Sequence, residues 1–134
     1  MLFRSEVPYK AITCPDDTAD ILRALGLDTA AEEYFYLLCT NAKGAIVGIH
    51  EVSHGELSSS IVHCREVYKR AIMNNSAAVI VAHNHPSQDV SPSGEDYAVT
   101  QRLSEAGELL GIKLLDHLII ASDSYFSFKK EGLL

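Results

Sequence analysis

His83, His85 and Asp96 offer two imidazoles and a carboxylate, nitrogen and oxygen donors that suit a divalent ion such as zinc and leave a fourth position for water. Their spacing decides whether they can meet. Val79, Ile80, Val81 and Ala82 form an apolar, mostly β-branched run that reads as a central strand buried on both faces. Side chains two apart on a strand share a face, so His83 and His85 point to one side while Asn84 turns away. Pro86 stops the strand, and after a polar loop Ser93 is suited to cap a helix whose apolar stripe is Val99, Leu103, Ala106 and Leu110. Three residues before Val99 is Asp96, which therefore lies on the inward stripe of the first turn, where a charge needs a partner. Each residue also has a plainer reading. Asp96 three residues after Ser93 is a variant of the capping box, favoured by the helix dipole without any metal, and a histidine at a strand end is commonly a hydrogen-bonded structural residue. It is the conjunction of all these features in one short window that points to a site.

His83-x-His85-Pro86 followed, after seven intervening residues from His85, by Ser93-x-x-Asp96 resembles the JAMM signature of the JAB1/MPN metalloprotease-like fold. The strings HNHPS and PSxxD, Thr100 downstream and the later LLDHLII resemble the RadC family, bacterial proteins historically labelled DNA repair proteins. The resemblance runs from about Glu33 to the C-terminus. Gln88 stands where that family usually has glycine, Val90 where a proline or small residue is common, and Cys64 where proline is frequent; none of these is a proposed ligand. The resemblance implies an α/β, single-domain JAB1/MPN-like fold with a mixed β-sheet packed by helices. It also implies one zinc ion per chain, hydrolysis of an amide or isopeptide bond, Glu33 as general base and Ser93 as hydroxyl donor to the developing oxyanion.

Upstream, Pro15 at a first helical position, Asp16 and Asp17 in the first turn and the stripe Ile21, Leu22, Leu25 predict a short helix ended by Gly26. Met1 to Ala11 has no clear period and is left as an arm or an extra strand. From Glu33, EYFYLLC reads as a strand with Phe35, Leu37 and Cys39 on one face and Tyr34, Tyr36 and Leu38 on the other. A turn at 41–44 returns the chain through Ala45 to Val52 as a hairpin. Periodicity puts Glu33 on the Phe35 face but does not separate it from Glu32, Glu51 and Glu56. After the serine run Ser58, Ser59, Ser60, the stripe Ile61, Cys64, Val67, Tyr68, Ala71 and Ile72 predicts a helix. His63 and Arg65 fall on or near its solvent side; a short motif shared with the RadC family keeps them as candidates for substrate contact. Gly111 ends the helix begun at Ser93; strands follow over Ile112 to Ala121 and Tyr125 to Phe128. Asp116 and His117 interrupt an apolar strand, either as a mutually satisfied buried pair or as support behind the metal histidines.

With 134 residues and 47% hydrophobic composition, the chain fits one domain over 1–134, an arm and short helix over 1–30 preceding a motif-bearing core over 33–134. Three cysteines without a C-x-x-C exclude a thiolate zinc module and the deaminase pattern. Cys14, Cys39 and Cys64 fall in or beside segments that read as buried, and no signal peptide or long apolar span is visible. A cytoplasmic protein with reduced thiols, and no membrane partner, is expected. A formal net charge of −7 without a basic stripe makes tight DNA binding by this domain an unfavourable expectation. RadC relatives carry a further N-terminal helix-hairpin-helix region with no counterpart here, so any DNA contact made through it is expected to be missing. A peptide or isopeptide is the expected substrate. Two other classes compete: a metal-dependent nuclease, which would want a second metal or a cationic clamp, and a catalytically silent module whose zinc is closed by Cys64 or His63.

Overall fold

The apolar run at Val79–Ala82 becomes the middle strand of a five-stranded sheet. In the computed structural model, which describes residues 11–55 and 62–134, the elements run α1 (Pro15–Ala24), a 3₁₀ turn (Leu27–Thr29), β1 (Tyr34–Thr40), β2 (Ile46–His54), α2 (Cys64–Met73), β3 (Ala78–Asn84), α3 (Gly94–Leu110), β4 (Lys113–Ile120) and β5 (Tyr125–Ser127). The strand order is β2-β1-β3-β4-β5. The β3 and β4 strands are parallel, connected through α3, and every other pairing is antiparallel. The chain is thus an α/β domain with a mixed sheet packed by helices.

The alternation read in β1 sorts its residues between two cores. Phe35, Leu37 and Cys39 join Val79, Val81, Val67, Val99 and Leu103 beneath α2 and α3. Leu38, Ile80 and Ala82 join Leu22, Ile49 and Leu118 under α1, with Tyr34 and Tyr36 packed at the edge. Burying such a Leu, Val or Phe side chain is worth about 1.5–3 kcal/mol, which is why the two-faced strands settle in the centre. α2 and α3 approach closely at Gly107, where a Cβ would lie 2.4 Å from the Tyr68 hydroxyl; that hydroxyl donates to the Leu103 carbonyl at 2.7 Å. Gly111, at φ +74°, supplies the left-handed residue that ends α3 and turns the chain into β4.

Some expectations shift. Ile72 and Leu110, placed on the inward stripes, are 57% and 48% exposed; both sit in the last turn of their helices. Cys14 is exposed rather than buried, Cys39 is buried, Cys64 is partly covered, and all three are free. The strand begins at Tyr34, so Glu33 immediately precedes it. The expected arm over Met1 to Ala11, the serine run, Glu56 and Ile61 lie outside the described residues, except for Ala11, which makes an isolated antiparallel bridge with Ala45.

Candidate metal centre

The site forms where the carboxyl end of β3 meets the first turn of α3, the position at which open α/β sheets commonly bind ligands. His83 is in the strand, facing β1 opposite Phe35, and is 2% exposed. His85 lies one residue past the strand end, and its ring centroid is 4.9 Å from that of His83. The α3 N-terminus delivers Asp96. Ser93 accepts from the Asp96 N–H through Oγ at 3.2 Å, and Asp96 Oδ2 accepts from the Ser93 N–H at 2.8 Å, a complete capping box. Capping and site-building are therefore the same act. The carboxylate that closes the cap also presents Oδ1 to His83 Nε2 at 3.2 Å and Oδ2 to His85 Nε2 at 3.4 Å.

The hydrogen bonds behind the two imidazoles fix which nitrogen faces the centre. The Asp96 carbonyl can only accept, so the Thr100 hydroxyl donates to it at 2.8 Å. The same hydroxyl oxygen then accepts from His117 Nδ1 at 2.6 Å, which leaves His117 Nε2 to accept from His83 Nδ1 at 2.9 Å. His117 is fully buried, and burial first, with the neighbouring His83 charge second, pushes it well below the ordinary histidine range, so it serves as a neutral acceptor. On the other side, His85 Nδ1 donates to the Asp89 carbonyl at 2.7 Å. Both Nε2 atoms consequently turn lone pairs inward, 3.1 Å from each other and against a carboxylate.

Four lone-pair-bearing atoms so close, the two nitrogens and both Asp96 oxygens, repel one another unless a cation lies among them. A tetrahedral ion with bonds of about 2.0–2.1 Å places its ligands roughly 3.3–3.4 Å apart; the two nitrogens are 3.1 Å apart, and each has a carboxylate oxygen close to that distance, Oδ1 at 3.2 Å from His83 and Oδ2 at 3.4 Å from His85. His83, His85 and Asp96 form such a ligand group among the described residues. A proton can take the place of the metal: the hydrogen bond to Asp96 raises His85 above its ordinary range against the opposing effect of burial. For Asp96, burial disfavours the charge, yet when protons occupy the Nε2 atoms the bonds from His83 and His85, with that from the Ser93 N–H, outweigh it and hold the carboxyl far below the usual range. A cavity of about 10 Å³, lined by Phe35, Val62, His83, Asp96, Val99 and His117, adjoins the centre and has room for a single small guest.

The remaining candidates divide. Glu33 is half-buried, and its negative charge contributes to raising His85, so it stands within electrostatic reach of the centre. Its rivals are placed otherwise: Glu32 is exposed and Glu51 pairs with His54 at 3.1 Å. Ser93 is exposed and joined to Asp96 by the cap. His63 and Arg65 are exposed on α2, where Arg65 lies 3.6 Å from Glu66, and neither His63 nor Cys64 belongs to the ligand group.

Asp116 and His117 are not a side-chain pair, because neighbours in a strand point to opposite faces. Asp116 turns away from the site, accepting from Ser127 Oγ at 2.6 Å and from the His117 and Lys129 N–H groups at 2.7 and 3.0 Å; burial nonetheless raises its pKa. His117 stands behind His83. Replacing it with phenylalanine keeps a ring stacked on Phe128 but removes the acceptor, and the affinity of the centre for a divalent ion should fall about 10- to 100-fold, read by competition with a chelator. An unchanged affinity would show that His83 needs no partner.

A model of the RadC-like JAB domain matches residues 12–133. The chain is 45% identical over 130 residues to a UPF0758 protein of Alkaliphilus metalliredigens, covering 97% of this chain and 56% of that one. It is 42% identical over 123 residues to a UPF0758 protein of Clostridium beijerinckii, covering 92% and 53%, and 52% identical over 103 residues to one of Trichlorobacter lovleyi, covering 77% and 45%. The chain spans about half the length of these curated relatives. Strand-end histidines, capping aspartate and sheet order thus occur in a sequence that matches one family model almost end to end, and the chain belongs to the RadC-like JAB domain family.

Proposed function

We propose that this chain is a zinc-dependent hydrolase of JAMM type that cleaves an amide or isopeptide bond in a peptide substrate. The observation that carries the reading is the inward orientation of the lone pairs of His83 and His85, 3.1 Å apart and each within 3.4 Å of an Asp96 oxygen. Zinc held by these three residues would supply Lewis acidity, lowering the pKa of a coordinated water to about 7. Glu33 takes the proton of the attacking water and passes it to the leaving amine. Ser93 keeps its Oγ acceptor engaged with the Asp96 N–H, so its hydroxyl proton is free to turn toward the developing oxyanion. His117 and Thr100 hold the imidazole of His83 in one tautomer throughout. The test is elemental analysis of the purified protein together with cleavage of peptide and isopeptide substrates; absence of zinc would sink the reading.

The reading places the protein in the cytoplasm, where its free cysteines stay reduced; among the described residues no helix is long and apolar enough to cross a membrane. A nuclease would need cations at its phosphate sites. Arg65, Lys69 and Arg70 crowd around Glu66 at 3.6, 3.9 and 3.1 Å, and Arg23 is spent on the Ala121 and Ser124 carbonyls. Arg102 donates to the Val62 carbonyl. At physiological salt this domain should therefore bind duplex DNA no more tightly than roughly 10⁻⁴ M in a fluorescence-anisotropy titration. Sub-micromolar binding with a steep salt dependence would move the nuclease reading ahead.

A further inference from the structure

We infer that Asn84 is a positioning residue for Glu33, fixing the backbone on both sides of that carboxylate so that it stays within reach of the metal centre. The inference rests on the hydrolase reading and extends it to a residue whose side chain faces away from the histidines.

The register between β1 and β3 ends at Phe35 and His83. Beyond that pair the segment carrying Glu33 has no strand partner on the β3 side, and a free segment would let its side chain swing. The Asn84 side chain takes the place of the missing strand. It is 1% exposed; its Oδ1 accepts from the Tyr34 N–H at 2.8 Å, and its Nδ2 donates to the Glu32 carbonyl at 2.9 Å and the Ala30 carbonyl at 3.5 Å. A carboxamide can do this because it offers an acceptor and donors on one short stem, as a peptide group does. From the opposite side, the Glu33 carbonyl accepts from the Gly55 N–H at 2.8 Å. Three backbone groups flanking or belonging to Glu33 are thus held, leaving its side chain as the part that moves. Because Asn84 sits between His83 and His85, the same few residues of β3 set both the ligands and the place of the base.

The experiment is a double-mutant cycle on zinc affinity, measured by competition with a chromophoric chelator, for the wild type, Glu33→Gln, Asn84→Ala and the combined variant. Removing the Glu33 charge beside a divalent ion should weaken binding roughly tenfold. Asn84→Ala should weaken it by a similar factor, and the combined variant no further, since both act through one carboxylate. Losses that multiply would overturn the inference, because a merely structural Asn84 acts independently of Glu33. A wild type that binds no zinc would overturn the hydrolase reading itself, a different and recognisable result. Should Asn84→Ala not fold, Asn84→Asp enters the same cycle, since it keeps the acceptor for Tyr34 and loses the donor to Glu32. In the wild type, hydrogen exchange at the Tyr34 amide should be slowed at least about tenfold relative to an unbonded amide. Free exchange there would equally overturn the inference.

Discussion

Replacing His85 with alanine should take the zinc content of the purified protein from about one ion per chain to background. If the roughly 10–16 kcal/mol of a four-ligand zinc site is shared evenly, one ligand carries about 2.5–4 kcal/mol, a loss on the order of 10²- to 10³-fold in affinity. His83→Ala should do the same with an added cost in stability, because His83 is 2% exposed and its removal strands the His117 acceptor. His85 is the cleaner variant, being partly exposed at the strand end. Unchanged metal content in both, by elemental analysis, would remove the centre from the argument. The pH dependence follows from the same contacts. Asp96 raises His85, and metal binding requires that proton to leave, so zinc affinity should fall by about tenfold per unit as pH drops through the raised value. In the metal-free protein the sign reverses: protonated His85 stabilises the fold below the ordinary histidine value, and this contribution is lost as pH rises through the raised one.

Glu33→Gln should lower turnover about 10²- to 10⁴-fold, on any substrate the wild type cleaves, while one zinc per chain is retained at saturating metal. Glutamine preserves shape but cannot accept the proton of the attacking water. The bonds that hold its segment, between Asn84 and the backbones of Tyr34 and Glu32 and from the Gly55 N–H to the Glu33 carbonyl, involve no side-chain atoms of Glu33, so the fold should be untouched. Paired measurements of zinc stoichiometry and kcat decide the matter. Loss of zinc would move Glu33 into the ligand set, and full activity would transfer the role of base to another group.

Gln88 shows how a local departure is accommodated. Its left-handed conformation at φ 70° is one that glycine adopts without strain, and the glutamine tolerates it with its side chain engaged. Its Oε1 accepts from the Ser122 N–H at 2.7 Å and its Nε2 donates to the Asp28 carbonyl at 3.3 Å, tying the loop after His85 to two others. These bonds run to residues 34 and 60 positions away, so they could not be read from the motif itself.

That His83, His85 and Asp96 meet was legible along the chain, because each step toward it is local. A period of two puts His83 beside His85, and the helical period brings Asp96 onto the stripe of Val99. Along the chain Asp96 reads either as a cap or as a ligand, and only the folded geometry shows that one carboxylate is placed for both: its Oδ2 lies at the cap and beside His85, and its Oδ1 beside His83. For the support of the site the sequence leaves two readings of His117 open and does not single out the side chain of Asn84 for a contact; the tertiary structure decides both. His117 meets His83 because β4 lies parallel to β3 in a register that pairs it with Val81, and Asn84 reaches the Glu33 segment because β1 lies antiparallel on the other side. Such registers depend on how two cores pack against opposite faces of the sheet. Periodicity along one strand says which way a side chain points, but it cannot say which residue of a distant strand will stand opposite.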